Sequence, residues 1–274
     1  MPFFGRSLLA KGAEAVAGGL SYFQNSGTTS DGSNGASLVL DRGSGNVWDS
    51  NTKKITASFW FKGNSSSLPT DGTVKVFRTF VSESSGISVD IRTTGIETVI
   101  QDENNNFILQ AFPANFSTNY LNNAWHHCVV EFGAVSGSTS GRCFLDGIDK
   151  ETSDTTNTGV SFTNNRFAYV NGQPTETPTS AIYYDSNVST LQFSEIFVDF
   201  SKDYNIASNI ANFYSSGYVN MGTDGTASGL AKPDIFLTIS GGSIVNNGTV
   251  SCSVIEVYEG TGAWTKSTTG GPGA

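Results

Sequence analysis

The sequence predicts an all-β protein, an antiparallel jelly-roll sandwich that carries one short helix. Short segments in which apolar and polar residues alternate recur at intervals of roughly ten residues, a spacing typical of sandwiches and barrels. Turn-forming residues fill the intervals: the 274 residues include 31 Gly, and only 14% are charged. No long segment of helical period alternates with the strands, which argues against a parallel α/β sheet.

The central element of the predicted fold is a hairpin over residues 125–147 (WHHCVVEFGAVSGSTSGRCFLDG). Alternation predicts a strand on each side of a small polar loop at 133–141, and Asp146 with Gly147 turns the chain again. One face of each strand is apolar and must be buried, because a one-residue slip would expose it. The inward-facing residues are Cys128, Val130, Phe132, Cys143 and Leu145.

The longest predicted strand, 190–200, has two mixed faces. If it alternates without interruption, Glu195 and Asp199 share a face with Phe193, while Ile196 faces the other way. Both faces are then expected to be partly covered. The other predicted strands are 36–40, 55–61, 74–81, 87–91, 96–101, 107–112, 166–170, 234–239 and 249–258.

Residues 205–214 predict the one helix. Ile206 and Ile210 recur at helical spacing, and either Asp203 or Asn205 can cap the first turn. The apolar side of this helix is expected to pack on the sandwich as a lid.

The amino-terminal segment is expected to dock on another protein. It resembles a signal peptide, but Arg6, Lys11 and Glu14 interrupt its apolar stretch, so we expect it to be retained. Its apolar residues recur at helical spacing between several glycines, which favours ordering by a partner; a frayed terminus is the alternative. The expected division is a docking segment at 1–20, the sandwich at 21–258 and a Gly/Ser/Thr-rich C-terminal tail at 259–274.

Charge and cysteine content limit the classes of partner and site. With 15 Lys and Arg against 24 Asp and Glu, the net charge of −9 repels nucleic acid. No apolar run approaches the roughly 18 residues of a membrane span, so no membrane insertion is expected. Cys128, Cys143 and Cys252 cannot form a disulfide framework and lack the spacing of a metal site, so free thiols are expected.

The sequence offers no catalytic residue and no cofactor site. In an extended strand Glu195 and Asp199 would lie about 13 Å apart, too far for the paired carboxylates of a retaining glycosidase. His126 and His127 are adjacent in a strand, so they face opposite sides and cannot chelate one ion together. A Ser-His-Asp triad stays open, although no GxSxG motif supports one.

The sequence contains candidate residues for calcium and sugar binding but assigns neither ligand to a site. Loop carboxylates suit calcium, but turns favour Asp in any case, so no metal site is assigned. Exposed aromatic side chains could stack on a sugar, although burial would explain them equally well. The candidate acids are Asp31, Asp71, Asp154, Asp185 and Asp224, and the candidate aromatics are Trp48, Trp60 and Tyr120.

Residues 193–238 resemble a segment of the laminin G-like, concanavalin A-like jelly-roll domains found in virion proteins of tailed bacteriophages. With ASFWF at 57–61 and the 125–147 hairpin, the resemblance covers roughly residues 20–258. Residues 1–20 have no clear counterpart in that family. The matching positions are Glu195, Asp199, Asn212, Phe213, Gly217, Gly222, Asp224, Gly225 and Pro233.

This resemblance implies a non-enzymatic virion structural protein: a capsid decoration, a head fibre or a tail-associated subunit. Such a protein would assemble in the host cytoplasm and be exposed on the particle surface. Its expected partners are other virion proteins through the N-terminal segment, further copies of itself, and glycans on the host surface. The alternative is a secreted or cell-surface carbohydrate-binding lectin without a virion role, since one sandwich fold serves many functions.

Overall fold

The computed structural model describes residues 21–25, 36–48, 54–69, 72–80, 86–102, 104, 107–135, 138–150, 154–157, 167–171, 189–258 and 263–273. Strands dominate this part of the chain and confirm the predicted all-β, antiparallel jelly-roll sandwich. In chain order the strands are β1 Tyr22–Asn25, β2 Ala36–Asp41, β3 Lys54–Lys62, β4 Thr73–Phe80, β5 Gly86–Arg92, β6 Gly95–Gln101, β7 Phe107–Pro113, β8 His126–Val135, β9 Ser138–Leu145, β10 Ile148–Lys150, β11 Asp154–Asn157, β12 Phe167–Val170, β13 Gln192–Asp199, β14 Ile235–Ser240, β15 Ser243–Asn246, β16 Ser253–Tyr258 and β17 Trp264–Ser267.

The strands form two sheets, and every pairing among them is antiparallel. The first sheet has the order β10-β9-β8-β3-β13-β1-β17, and β14 and β15 join it beside β13. The second sheet has the order β11-β7-β6-β5-β4-β12-β2-β16. Strands distant in sequence are neighbours in both sheets, as in β13 beside β3, so long crossovers connect the two layers.

The main core lies between the two sheets, where apolar side chains of both inner faces meet. All five residues predicted to face inward from the central hairpin are fully buried there. Burial of such apolar surface is the main stabilising contribution to the fold. The largest side chains of this core are Phe23, Trp48, Phe59, Phe61, Phe77, Phe112, Phe116, Phe132 and Phe193.

A second apolar cluster covers the outer face of the first sheet. Residues 203–233 lie across this face and bury Ile206 and Phe213 against Val129 and Phe197. The predicted lid is therefore confirmed, although its α-helical part, α2, is only Ile206–Asn209 and continues as a 3-10 turn. A further helix of four residues, α1 Phe116–Asn119, precedes α2 in the chain and was not predicted.

The described residues bear on the predicted C-terminal tail but not on the predicted docking segment. Residues 1–20 lie outside the described residues. The sandwich does not end at Tyr258, because β17 pairs with β1 from Trp264 to Ser267. Trp264 is buried in the main core, so part of the predicted C-terminal tail belongs to the domain.

The hairpin loop at 133–141 is also shorter than predicted. The pairing continues from Gly133 opposite Ser140 to Val135 opposite Ser138. The residues of this part are small on β8 and polar on β9, so alternation of apolar and polar residues could not extend the strands, which pair here through their backbones. The same reason explains the other missed strands, which are short and polar: β1, β10, β11 and β15.

We expect the cysteines to differ sharply in their reaction with a thiol reagent. Cys128 and Cys143 are free and fully buried, and burial, followed by contact with Cys143, raises the pKa of the Cys128 thiol. Cys252 is only partly buried. Ellman's reagent should therefore label one thiol of the native protein and all three after denaturation. A Cys252→Ser variant should lose the native signal, and native labelling of the variant would contradict this assignment.

Candidate functional site

The candidate site lies where strand β13 changes its neighbour. Along one edge β13 pairs continuously with β3 apart from one irregularity, whereas along the other edge it pairs first with β1 and then with β14. The pairing with β1 ends at Phe193, and the pairing with β14 begins at Ile196. The sheet therefore opens into a fork at Ser194 and Glu195.

A β-bulge at the fork sets the direction of the side chains. Ser194 lies opposite Trp60 and Phe197 opposite Ser58, so Glu195 and Ile196 together face a single residue of β3. Such an extra residue reverses the alternation beyond it. Phe193 and Ile196 both point into the main core, while Phe197 packs under the lid. The uninterrupted alternation predicted for 190–200 is therefore wrong after Phe193.

Both the backbone conformation and the burial of Glu195 at this bulge are energetically unfavourable. Its φ of 47° lies in the left-handed region, which disfavours a residue with a Cβ by roughly 1–2 kcal/mol. The side chain is 6% exposed, and its Oε2 atom has no hydrogen-bond partner among the described residues. Its Oε1 atom accepts a hydrogen bond from the Tyr218 hydroxyl at 3.1 Å. An unpaired buried oxygen costs about 1–3 kcal/mol, and such strain concentrates at functional sites.

Burial also changes the charge of this carboxyl group. Desolvation raises the pKa of Glu195 to about 8, and the hydrogen bond from Tyr218 opposes the shift only in part. Glu195 is therefore mostly a neutral carboxylic acid at neutral pH. A neutral carboxyl both donates and accepts hydrogen bonds, whereas the ionised form only accepts them.

A cavity of about 590 Å³, the β13 cavity, occupies the fork and includes Glu195 in its lining. Hydroxyl and amide side chains dominate the lining, with one ammonium group on Lys232 and one further carboxylate on Asp224. The Lys232 Nζ lies 3.9 Å from the Asp224 Oδ2, too far for a hydrogen bond, so both groups can still bond to a ligand. The lining residues are Ser21, Glu195, Gly222, Thr223, Asp224, Lys232, Thr238, Ile239, Ser240, Asn246, Asn247 and Gly248.

Internal hydrogen bonds hold the wall of the cavity that β14 and β15 contribute. The Asn246 side chain accepts bonds from the amides of Phe236 and Gly248 and donates to the carbonyl of Val250. Asn247 donates to the Thr238 hydroxyl at 3.0 Å. The cavity is therefore built on side chains that are already fixed, as a preformed binding site requires.

Asp199, the other acid of β13, has a structural role. It accepts hydrogen bonds from the backbone amides of Ser201 and Lys202, the Lys202 ammonium and the Tyr204 hydroxyl. Burial acts to raise the pKa of Asp199, but the bonds from Lys202 and Ser201 outweigh it and lower the pKa. Asp199 does not line the β13 cavity, so it fixes the start of the lid and does not pair with Glu195.

The two histidines face opposite sides of β8, as predicted. The His126 Nδ1 lies 2.6 Å from the Asp146 Oδ2, at the turn that closes the hairpin. The His127 Nε2 lies 2.8 Å from the Ser58 Oγ on the neighbouring strand β3. These contacts hold neighbouring strands and the hairpin turn together.

The Ser58 and His127 pair lacks the features of a catalytic dyad. Both side chains are about 1% exposed, with His127 stacked on Tyr214 and packed against Trp60. Burial lowers the pKa of His127 to about 3, and its Nδ1 has no partner among the described residues. A triad needs a third group that orients the imidazole and a nucleophile that substrate can reach. This pair satisfies neither condition.

Of the other candidate residues that the structure describes, only Asp224 lies in the lining of the β13 cavity. All three candidate aromatic side chains are buried and so cannot stack on a sugar: Trp48, Trp60 and Tyr120. Of the candidate calcium ligands, Asp224 lines the β13 cavity, Asp154 lies in β11, and Asp31, Asp71 and Asp185 fall outside the described residues. In the described part of the chain, no three His, Cys, Asp or Glu side chains converge on a point that could hold a metal ion.

None of the helices in the described ranges has the length and apolar character needed to span a bilayer.

Comparison with known proteins gives distant structural matches but no match to a protein family or a curated protein. No protein-family model matches the sequence, and no curated protein matches it. Among solved structures, the receptor-binding domain of botulinum neurotoxin C/D mosaic serotype matches with a TM-score of 0.45 and 13% identity, over 70% of this chain and 42% of that one. A structure described by the dependence of botulinum neurotoxin type C cell entry on two ganglioside molecules matches with a TM-score of 0.48 and 14% identity, over 74% and 44%.

The chain thus spans less than half the length of these structures. At TM-scores below 0.5 the similarity adds nothing to the fold assignment, which rests on the strand pairing described above.

The sequence does not reveal the cavity, because three of its walls come from separate parts of the chain. Two local patterns do indicate parts of it. The apolar positions change phase between Phe193 and Ile196, which indicates a bulge, and Gly241 with Gly242 marks the hairpin of β14 and β15. Neither signal could have shown that Ser21 and Lys232 lie at the same fork.

Proposed function

We propose that this protein is a non-enzymatic virion protein of a tailed bacteriophage, a capsid decoration, head fibre or tail-associated subunit, which contacts host-surface glycans through the β13 cavity. The observation that carries the glycan part is the lining of that cavity. Saccharides present many hydroxyl groups, and matching hydroxyl, amide and charged side chains line the fork. The volume of about 590 Å³ falls in the range of about 300–1,000 Å³ typical of small-molecule sites.

The virion part of the proposal is supported by the sequence pattern. Residues 193–238 carry the arrangement that resembles the laminin G-like domains of tailed-phage virion proteins. These residues form nearly all of β13, the lid and half of the cavity lining, so the resembling segment and the candidate site overlap. Residues 1–20 would attach the sandwich to the particle and leave the cavity facing outward.

The absence of enzymatic activity is supported by the state of the carboxylates. Asp199 is held by the lid and lies outside the cavity, and Glu195 has one oxygen bonded to Tyr218 and the other shielded from solvent. A retaining glycosidase needs two carboxyl groups about 5–5.5 Å apart at the scissile bond. Full-length protein is expected to release no reducing sugar from β-glucan.

We expect glycan binding to be lost when the β13 cavity is filled. Ser240 is exposed in the cavity lining, so a Ser240→Trp substitution places an indole in the ligand volume. On an array of bacterial surface glycans, this variant should bind at least about tenfold more weakly than the unaltered chain, a loss of about 1.4 kcal/mol.

Ser253→Trp is the matched control, because Ser253 is exposed on β16 of the other sheet. This variant should bind as the unaltered chain does. Equal binding by both variants would place the glycan elsewhere, and a chain that retains no glycan would refute the glycan part of the proposal.

We expect deletion of residues 1–20 to abolish incorporation into phage particles without changing glycan binding. The deletion leaves all described strands intact, so the sandwich should still fold. Incorporation is measured by gradient-purified particles and immunoblotting of the full chain and the shortened chain. Normal incorporation of the shortened chain would contradict the docking role. Glycan binding by a full chain that never enters particles would favour the secreted lectin.

A further inference from the structure

We propose that Glu195 is the specificity-determining residue of the β13 cavity and that, as a neutral carboxylic acid, it donates a hydrogen bond from Oε2 to a hydroxyl oxygen of an uncharged saccharide. This inference rests on the proposed glycan binding and names the group that recognises the ligand. It assigns a chemical reason to the one residue of the cavity that is buried, strained and incompletely bonded.

The first argument is the unpaired oxygen. Almost all buried polar atoms have a hydrogen-bond partner, so a buried carboxyl oxygen without one requires an explanation. The Tyr218 hydroxyl donates to Oε1, which leaves the proton of a neutral carboxyl on Oε2. That O–H group has no acceptor among the described residues, and the side chain that carries it lines a cavity. A ligand oxygen would supply the missing acceptor.

The second argument is the backbone at the bulge. A left-handed Glu at φ 47° persists only where the surrounding structure fixes it, and an ordinary strand residue would avoid the strain. The bulge turns Glu195 away from the main core and towards the fork between β1 and β14. The same distortion therefore creates the cavity and places the carboxyl group in its lining.

Oε2 is shielded from solvent in the unbound protein, so the ligand must reach it by a small motion. The terminal torsion of Glu is broad and has a low barrier, which lets the carboxyl group turn without moving the backbone. Because both oxygens turn together, a partial turn is needed, which moves the O–H group towards the cavity and keeps Oε1 near the Tyr218 hydroxyl.

The charges around Glu195 favour an uncharged ligand. Tyr218 faces the carboxyl from the lid, and Asp224 and Lys232 line the cavity with opposite charges. The groups in or next to β1, β14 and β15 that line the cavity are uncharged: Ser21, Thr238, Ile239, Ser240, Asn246 and Asn247.

The test compares pH profiles of binding for the full-length chain and two variants. The probes are the methyl glycosides of glucose, galactose, mannose and N-acetylglucosamine, titrated calorimetrically at about pH 6 and about pH 9. Because the pKa of Glu195 is about 8, only about a tenth of the donor form remains at the higher pH, so binding should weaken about tenfold. Glu195→Gln keeps a donor at every pH, so its affinity for the glycosides should change less than about twofold between the two pH values.

Asp149→Asn is the matched control, since it exchanges an acid for an amide on β10, outside the cavity, where the carboxylate is 41% exposed and pairs with Arg142. It should keep the pH profile of the unaltered chain. If Glu195→Gln binds the glycosides with the same pH profile as the unaltered chain, the inference is overturned while the proposed function stays in place. Loss of binding by a folded Glu195→Gln at about pH 6 would also overturn it, because a hydrogen-bond donor at this position would then not suffice for binding.

Two further outcomes would remove the proposed function as well. If none of the probes and no array glycan binds the unaltered chain, both proposals fail together. If the chain releases reducing sugar and Glu195→Gln does not, Glu195 is a general acid and the protein is a hydrolase.

Discussion

Trp264→Ala is expected to destabilise the sandwich by about 3–5 kcal/mol, the usual cost of truncating a large buried aromatic side chain. Trp264 is 6% exposed, packs edge-on against Phe23 with ring centroids 5.5 Å apart, and donates from Nε1 to the carbonyl of Ser37 at 3.2 Å. Because Ser37 belongs to the second sheet and β17 to the first, this side chain joins the two layers. Its loss leaves a cavity and removes this hydrogen bond between the layers.

Urea unfolding followed by circular dichroism measures the effect on the free energy of unfolding. Ile255→Ala is the matched control, since Ile255 is a large apolar residue of β16 that is 42% exposed. Surface substitutions of this kind usually change stability by about 0.5 kcal/mol or less. A Trp264→Ala protein as stable as the control would mean that residues 263–273 do not belong to the folded domain.

Glu195→Gln is expected to make the protein more stable than the unaltered chain at alkaline pH. Burial raises the pKa of Glu195 from its ordinary value of 4.5 to about 8 in the folded state. A group whose folded pKa is raised contributes stability that is complete below about pH 4.5 and is lost as the pH rises towards about 8. At about 1.4 kcal/mol per pKa unit, the loss amounts to roughly 3–5 kcal/mol. Glutamine has no proton to lose, so its contribution stays constant.

The measurement is the difference in unfolding free energy between the two proteins at about pH 5, pH 7 and pH 9. Other titrating groups, such as Asp199 with its lowered pKa, act equally in both proteins and cancel in the difference. The difference should move in favour of the Gln variant by roughly 3–5 kcal/mol across this range. A difference that does not change with pH would show that Glu195 is not buried in a neutral form.

These two results would also distinguish a residue that stabilises the fold from a residue of the candidate site. Trp264 tests whether the sandwich closes through its last strand, and Glu195 tests whether the fork holds a neutral acid. Only the second bears on ligand binding, because Trp264 does not line the β13 cavity. A destabilised but folded Trp264 variant should therefore keep its glycan preference.

The sequence by itself determined the fold class, most of the strands and the inner face of the central hairpin. Alternation alone placed Cys128, Val130 and Phe132 on the buried side of β8, because a strand with one apolar face has only one register that buries it. The Asp146 and Gly147 turn followed from the positive φ values that a two-residue hairpin requires, 50° and 74° here. The lid helix over 205–214 followed from its helical spacing, and it proved shorter because packing on the sheet holds the rest of that segment.

Only the tertiary structure decided where the strands end and where the site lies. Trp264 enters the sheet through pairing with a strand more than 230 residues earlier, a partnership that no local pattern encodes. Glu195 is turned outward by a bulge whose position depends on β1 and β14 competing for one edge of β13. The acid, the ammonium group and the hydroxyls of the cavity come from distant segments, and their convergence is a property of the folded sheet. Residue type fixes the chemistry that each of these groups can perform, but strand pairing alone brings them to one place.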